Sequence, residues 1–230
     1  RTGLGTLTLS SIETANLTGG AGTNAFTVSS WTGTANLAGL GGDDSYTVTF
    51  NGAAGTVNVA DTLGAADSLV VNGTGNADAI TLTDASVSTA AEAVNYTSAQ
   101  IESLTVNGLG GNDSFTVSAL TRAATVNGGA DSDTIVATND VDFVLTDTTL
   151  QRSGGQQDVT LAGVEVANLT GGDLANSFTV SGWSGTGTLA GGSGNDTVVA
   201  TNDVATIALT DTSLARDGLG TLTLSSIETA

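Results

Sequence analysis

The sequence predicts an all-β fold, and within that class a parallel β-solenoid with about 20 residues per rung. Three observations predict it. The chain repeats itself at more than one length scale, its apolar residues form short alternating segments between turn residues, and it has few large side chains with which to fill a globular core. Such repetition is typical of architectures in which each unit buries its apolar face against the next.

The largest repeat joins the two ends of the sequence. Residues 216–230 reproduce residues 1–15 at 14 of 15 positions, and the one difference is Thr2 against Asp217. The sequence therefore returns to its own beginning at Arg216, as a window cut from a tandem array would. We expect residues 1–230 to form one continuous solenoid segment that continues in both directions.

Smaller repeats lie inside this unit. Residues 108–170 and 171–230 belong to two 63-residue copies, and residues 19–107 form a longer third version. The finest step has the length of one predicted rung, and aromatic or aliphatic residues recur at this step in the same local setting. We predict that the members of three such pairs are vertical neighbours in a buried stack: Phe26 and Tyr46, Phe115 and Ile135, Phe178 and Val198.

Individual strands follow from alternation. Residues 26–28, 46–50, 57–59, 80–82 and 221–224 alternate apolar and polar side chains, and Gly/Asn/Asp clusters separate them as turns. The Ala-rich stretch 86–93 is short and uncapped, so no helix is predicted. Strands of this length also permit a sandwich or a barrel, but so short and even a period favours the coils of a solenoid.

Charge and composition exclude several functions. The net charge of −19 disfavours nucleic acid and anionic membranes, which need basic patches, and favours cation binding. No apolar run approaches the ~20 residues of a membrane helix, so no membrane insertion is expected. The chain has no His, Cys or Lys to act as a nucleophile or base near neutral pH, so no enzyme is expected. Carboxylate chemistry, as in polysaccharide-active β-helices, is the minor alternative.

One turn matches a complete Gly-Asp nonapeptide motif. The segment Gly191-Gly-Ser-Gly-Asn-Asp-Thr-Val-Val199 fits the nonapeptide G-G-x-G-x-D-x-U-x, and degenerate copies begin at Gly19, Gly39, Gly108, Gly128 and Gly171. These segments resemble the hemolysin-type (RTX) repeats, and the longer pattern resembles giant bacterial surface proteins and adhesins. The resemblance implies a right-handed, β-roll-like coil, an extracellular location and Ca²⁺ held between successive turns.

Four residues match the aspartate position of that motif and are the predicted metal ligands: Asp44, Asp113, Asp133 and Asp196. Carboxylates and glycine carbonyls supply the six to eight hard oxygen ligands that Ca²⁺ prefers. In the family the motifs run in tandem, whereas here they occur singly, and Asn24 and Asn176 replace two of the aspartates. The alternative is an Asx-type turn in which each carboxylate bonds to its own backbone.

Other recurring residues have simpler interpretations. Asp140, Asp147, Asp203 and Asp211 recur in register and are expected in solvated turns, with additional metal ligation as the alternative. Trp31 and Trp183 occupy equivalent positions at which the third copy has Leu120, which favours core packing over stacking on a sugar. Thr-x-Thr pairs resemble those of ice-binding solenoids but are too sparse for a continuous ice-binding face.

These observations predict a structural extracellular repeat protein that forms a rod, fibre or surface layer by end-to-end stacking. Its partners would be neighbouring copies of itself. The alternatives are a calcium-dependent adhesin stalk and, with less support, an ice-binding solenoid or a polysaccharide-active β-helix.

Overall fold

The computed structural model describes residues 10–62, 64 and 66–230. Within these residues the fold is all-β, and a single 3₁₀ turn at Ser98–Gln100 is its one helical segment. The strands form two sheets of 13 and 10 strands in which most neighbours are parallel. An all-β class with parallel strands is therefore confirmed.

The chain crosses from one sheet to the other after almost every strand. The first sheet contains β1 (Thr14–Gly20), β3 (Thr34–Leu40), β5 (Gly55–Ala60), β7 (Ala79–Leu82), β8 (Ser86–Ser88), β9 (Glu92–Asn95), β11 (Ser114–Val117), β13 (Thr134–Thr138), β17 (Val166–Thr170), β19 (Thr186–Ala190), β21 (Ile207–Thr210), β22 (Ser213–Arg216) and β23 (Leu222–Ser225). The second contains β2 (Ala25–Ser29), β4 (Ser45–Thr49), β6 (Ser68–Asn72), β10 (Ser103–Gly110), β12 (Ala124–Ala130), β14 (Phe143–Thr146), β15 (Thr149–Arg152), β16 (Val159–Ala162), β18 (Ser177–Gly182) and β20 (Thr197–Val199).

The predicted vertical pairs are strand neighbours in the structure. Phe26 pairs with Tyr46, Phe115 with Ile135 and Phe178 with Val198, all between parallel strands. The rings of Phe26 and Tyr46 stack with centroids 5.2 Å apart and planes inclined by 6°. Because the strand pairing is in phase with the sequence repeat, identical positions of successive rungs share a face, and the prediction of stacked neighbours is confirmed.

The step of about 20 residues holds between simple rungs, from Thr14 to Thr34 and, slightly longer, from Thr34 to Thr56, but it is interrupted at three places in the described chain. There the strand is replaced by a three-strand antiparallel meander: β7–β8–β9, β14–β15–β16 and β21–β22–β23. Across the first meander Gly55 pairs with Glu92, a much longer step along the chain than that from Thr14 to its partner Thr34. The meanders account for the long gaps between the Gly-Asp turns.

The meanders alternate between sheets. The first and third lie in the first sheet and the second lies in the second sheet. This follows from an odd number of sheet crossings per 63-residue copy, so that Phe115 lies in the first sheet and its counterpart Phe178 in the second. Equivalent strands of successive copies therefore lie in opposite sheets.

The core lies between the sheets. Inward residues of both sheets form one cluster of buried Val, Leu, Ile and Phe side chains that runs along the described molecule. Trp183 and Leu120 are buried in it, as predicted, and Trp31 packs against it from a partly buried position. The indole Nε1 of Trp183 donates to the carbonyl of Thr186 at 3.2 Å, so its one polar atom is satisfied.

Asparagines form ladders on the outer faces. The side-chain amide of Asn107 donates to Asn72 at 2.7 Å and accepts from Asn127 at 2.6 Å. A second ladder on the other sheet joins Asn16, Asn36, Asn58 and Asn95 through amide bonds of 2.7 to 2.9 Å. Stacked identical amides of this kind stabilise parallel in-register strands.

Among the described residues, the structure has no helix of the length and apolarity that a membrane crossing requires.

Candidate metal site

The aspartates of the Gly-Asp turns stand at the entrance of a strand and bind the neighbouring rung. The Oδ1 atom of Asp44 accepts the backbone N–H of Asn24 at 2.6 Å, and the N–H of Asp44 donates to Oδ1 of Asp67 at 2.6 Å. The same link runs from the N–H of Asp113 to Asp133 at 2.8 Å. The carboxylates therefore form ladders along the stack, in which each one accepts a backbone N–H group of the preceding rung.

Each ladder ends on a glutamate. The N–H groups of Asp67, Asp133 and Asp196 donate to the carboxylates of Glu102, Glu165 and Glu228 at 2.8 to 2.9 Å. These glutamates follow one another by the length of one 63-residue copy and belong to the recurring Ile-Glu and Val-Glu segments. Glu102 and Glu165 directly precede β10 and β17, at the strand entrance where other rungs have the aspartate.

The two carboxylate oxygens of the four predicted ligands differ in their hydrogen bonding. Oδ2 of Asp44, Asp113, Asp133 and Asp196 is buried and has no hydrogen-bond partner. Where the motif has Asn, the oxygen is satisfied: Gly20 N–H donates to Asn24 Oδ1 at 2.7 Å, and Gly172 N–H to Asn176 Oδ1 at 2.8 Å. A buried carboxylate oxygen without a donor is costly unless a proton or a cation compensates it.

The backbone conformation of each turn differs according to whether the motif contains Asp or Asn. In the four Asp turns the residue after the first glycine has positive φ: Leu40 at 78°, Leu109 at 81°, Gly129 at 117° and Gly192 at 101°. Gly20 and Gly172, the equivalents in the Asn turns, are not among the positive-φ residues. Leu109 is therefore strained where the complete motif places glycine.

Two successive rungs bring three aspartates together. Asp44, Asp61 and Asp67 are all buried, and one carboxylate oxygen from each lies within 4.8 Å of the others. Asp61 Oδ2 accepts the phenol of Tyr46 at 2.6 Å, and its Oδ1 accepts the N–H of Thr62 at 2.7 Å. Three carboxylates and a phenol are hard oxygen donors, so this cluster could hold a metal ion such as a hard divalent cation.

Burial shifts the proton affinities of the turn aspartates. Desolvation raises the pKa of Asp113 to about 6, and the backbone N–H of Asp78 that it accepts opposes this only in part. Desolvation likewise raises the pKa of Asp44, Asp67 and Asp133, and nearby carboxylates add to the effect. The apolar surroundings that hold these groups therefore favour their neutral form.

The predicted ligands are not all brought together. Asp44 joins Asp61 and Asp67, and Asp113 and Asp133 lie on adjacent rungs. Asp196, from the one complete motif, is linked to Asn176 and Glu228 instead. The Asx-turn alternative also differs from the structure, because Oδ1 of each predicted ligand bonds to the preceding rung and not to its own turn.

Asp140, Asp147, Asp203 and Asp211 are all exposed outside the strands, as expected, and two of them also accept a backbone hydrogen bond. Asp140 Oδ1 accepts the N–H of Leu174 at 3.1 Å, and Asp147 Oδ1 accepts that of Ser184 at 2.7 Å. The neighbouring asparagines face buried arginines: Arg152 donates to Asn139 at 3.5 Å and Arg216 to Asn202 at 3.4 Å. Desolvation lowers the pKa of both arginines.

Sequence reasoning missed Asp61 and Asp67. Asp67 could have been found, because Asp67-Ser-Leu repeats the pattern of Asp44-Ser-Tyr and Asp113-Ser-Phe at a strand entrance. Asp61 had no such signal, since it lies outside the motif, directly after the end of β5. No family model, curated protein or solved structure matches this chain, so its function has to be inferred from this geometry.

Proposed function

We propose that this chain is a structural segment of an extracellular rod or fibre, in which the two sheets are the faces of a right-handed β-solenoid. Copies stack end to end, so that strand pairing continues from one copy to the next. The observation that carries this is the register of the parallel strand pairs: outside the meanders, residues at the same repeat position pair with each other from β1 to β20.

The chemistry of the ends supports stacking. Among the described strands, β1 and β21 are the edges of the first sheet, and β2 and β20 those of the second. Large apolar side chains are exposed at both ends, among them Ile12 and Leu17 at one and Ile207 and Leu209 at the other. An unpaired edge with exposed apolar residues is a template for further strands.

Assembly is tested by light scattering and electron microscopy across a range of protein concentration. We expect unbranched rods of constant width whose length increases with concentration, because each added copy covers both an apolar end and a row of unpaired backbone groups. A monodisperse monomer at all concentrations would overturn the proposal. Shortening the rods with an excess of a chain that ends before β20 would identify the ends as the contact.

We further propose that the rod binds Ca²⁺, with the cluster of Asp44, Asp61 and Asp67 as its first site. The supporting observation is the unpartnered, buried Oδ2 of Asp44 beside two further buried carboxylates. Ca²⁺ tolerates an irregular shell more readily than Mg²⁺ does. This is the calcium-dependent form of a stalk, and it is a second candidate compatible with the first.

Calcium binding is tested by calorimetric melting with chelator and with added Ca²⁺ or Mg²⁺. A ligand present at 100 times its Kd stabilises the folded state by about 2.7 kcal/mol. We expect Asp61→Asn to lose most of the Ca²⁺-induced rise in melting temperature. The matched control, Asp173→Asn, makes the same charge change at an exposed turn residue and should keep it. A wild-type melting temperature indifferent to Ca²⁺ would refute the site.

A further inference from the structure

Thr14 near the start of the chain lies in one sheet, whereas its duplicate near the end, Thr229, pairs with a strand of the other. Thr14 opens β1 in the first sheet. Thr229 is its counterpart in the end-to-end match, yet it pairs in parallel with Thr197 of β20, which belongs to the second sheet. One passage through the 215-residue unit therefore exchanges the faces.

The contacts at Thr229 are those of an ordinary strand entrance. The N–H groups of Glu228 and Thr229 donate to the carbonyl of Asp196 at 3.1 and 3.0 Å. One copy earlier, the N–H groups of Glu165 and Val166 donate to Asp133 at 3.1 and 2.9 Å. The end of the chain thus reproduces the start of β17 against β13, and it does so on the opposite face.

We propose that a second copy of this chain docks on the β20–β21 end after a half-turn about the long axis, so that its β1 extends the second sheet and its β2 extends the first. This rests on the end-to-end stacking proposed above and specifies its geometry. The incoming Asn16 follows directly after the position of Ala230. The geometry applies directly to a covalent continuation. In a separate subunit, the incoming Thr14 and Ala15 give way to the identical Thr229 and Ala230, which already occupy these positions.

The register follows from the internal precedent. In the β13–β17 pair, Val136 faces Asn168 and Ala137 faces Leu169. The equivalent pairs at the joint are Val199 with the incoming Asn16, and Ala200 with the incoming Leu17. Leu169 and Ala137 are buried, whereas Leu17 is 47% exposed in the single chain. Docking therefore buries an apolar side chain at the position where the fold already buries its counterpart.

The other sheet gives an independent match. β18 pairs with β14 so that Phe178 faces Phe143, and the two rings stack 5.3 Å apart. The equivalent pair at the joint is the incoming Phe26 with Ile207, which is 47% exposed. The next residues outward, Ala208 and the incoming Thr27, correspond to Val144 and Thr179. Without the half-turn, β1 would meet β21 and neither precedent would apply.

Disulfide cross-linking tests the half-turn directly, because the chain has no cysteine of its own. Four outward-facing positions serve as sites: Asn16 and Thr27 at one end, Val199 and Ala208 at the other. Adjacent parallel strands bring paired Cα atoms to within the roughly 4.4–6.8 Å that a disulfide needs. Two double variants match the half-turn, Asn16→Cys with Val199→Cys and Thr27→Cys with Ala208→Cys. Two match direct stacking, Asn16→Cys with Ala208→Cys and Thr27→Cys with Val199→Cys.

We expect mild oxidation to give a ladder of covalent oligomers for the first two variants. The last two should give no more than the four single-cysteine variants, which report random collision. Cross-linking of the direct-stacking pairs would overturn the half-turn and leave end-to-end stacking intact. Rods that form without cross-linking of any pair would also overturn this register. If the wild-type chain forms no rods and no pair cross-links, stacking itself has failed.

Discussion

At the scale of single residues, the carboxylate of each Gly-Asp turn packs so closely against the first glycine of the motif that no Cβ would fit between them. A Cβ on Gly108 would overlap Oδ2 of Asp113 and the carbonyl of Gly128 on the next rung. The same relation holds between Gly39 and Asp44 and between Gly191 and Asp196. The glycine is thus required by the close approach of a carboxylate.

This predicts unequal effects for two glycines of β10. Gly108→Ala should destabilise the fold by about 2 kcal/mol or more, because neither the carboxylate nor the neighbouring backbone can yield cheaply. Gly110→Ala, further along the same strand, is the control, since its Cβ would meet nothing within 4 Å. Urea denaturation of both variants measures the difference. Equal midpoints would show that the Gly108 contact is not restrictive.

The sequence predicted the ladder aspartates but not their partners. The motif identified Asp44, Asp113, Asp133 and Asp196, because the spacing of glycine and aspartate is local. It did not identify the donors to their Oδ1 atoms, because the motif does not show that successive turns bond to each other; three donors lie 20 residues earlier, and a meander lengthens only the step between Asp78 and Asp113, to 35 residues. Asp61 was missed because it lies outside the motif.

At the scale of elements, the asparagine ladders hold successive strands in register. Asn107, in the middle of a ladder, makes one amide bond to each neighbouring strand. A one-residue slip would break both bonds and turn the inward face outward. The ladders therefore help to fix the strand register. The core consists largely of Val, Leu and Ile, and such similar side chains distinguish one register from another only weakly.

Removing a central amide should cost more than removing a terminal one. We expect Asn107→Ala to lower the free energy of unfolding by about 1–2 kcal/mol, because two partly buried amides lose a partner. Asn16→Ala should have a much smaller effect, since Asn16 is exposed on the edge strand and makes one such bond. Chemical denaturation of the two variants checks this. A larger loss for Asn16 would contradict the ladder's role.

Strand positions were predictable from alternation, whereas the meanders were not. Segments such as 46–50 and 80–82 alternate cleanly and lie where strands are found. The strands β8 and β9 fall in the Ala-rich stretch, in which alternation is weak. Whether such a segment continues a coil or folds back depends on which neighbouring strand is free to pair, and one repeat read alone does not contain that information.

At the scale of the whole molecule, the raised pKa values of the turn aspartates predict how stability depends on pH. A carboxyl whose pKa is raised in the folded state binds its proton more tightly there than in the unfolded state. Stability is therefore lost as pH rises through the folded pKa, which is about 6 for Asp113. With chelator present, we expect a higher melting temperature at pH 5 than at pH 7.

The contribution of one site can be isolated. Asp113→Asn keeps a side-chain oxygen that can accept the N–H of Asp78, and it removes the ionisation. The change should flatten the dependence between pH 5 and 7 by up to about 1.4 kcal/mol per pH unit for the proton removed. Calorimetric melting at both pH values measures it. A profile unchanged by the substitution would show that Asp113 does not titrate in this range.

The alternation of the meanders has a mechanical consequence. Each meander lengthens one face of the stack by two strands, about 10 Å at the usual strand spacing. If every meander lay on the same face, these offsets would accumulate and the axis would curve steadily towards the shorter face. Because the offset at residues 79–95 is reversed at 143–162 and introduced again at 207–225, bending in one direction cancels bending in the other. A pull along such an axis is shared between the backbone hydrogen bonds of both faces.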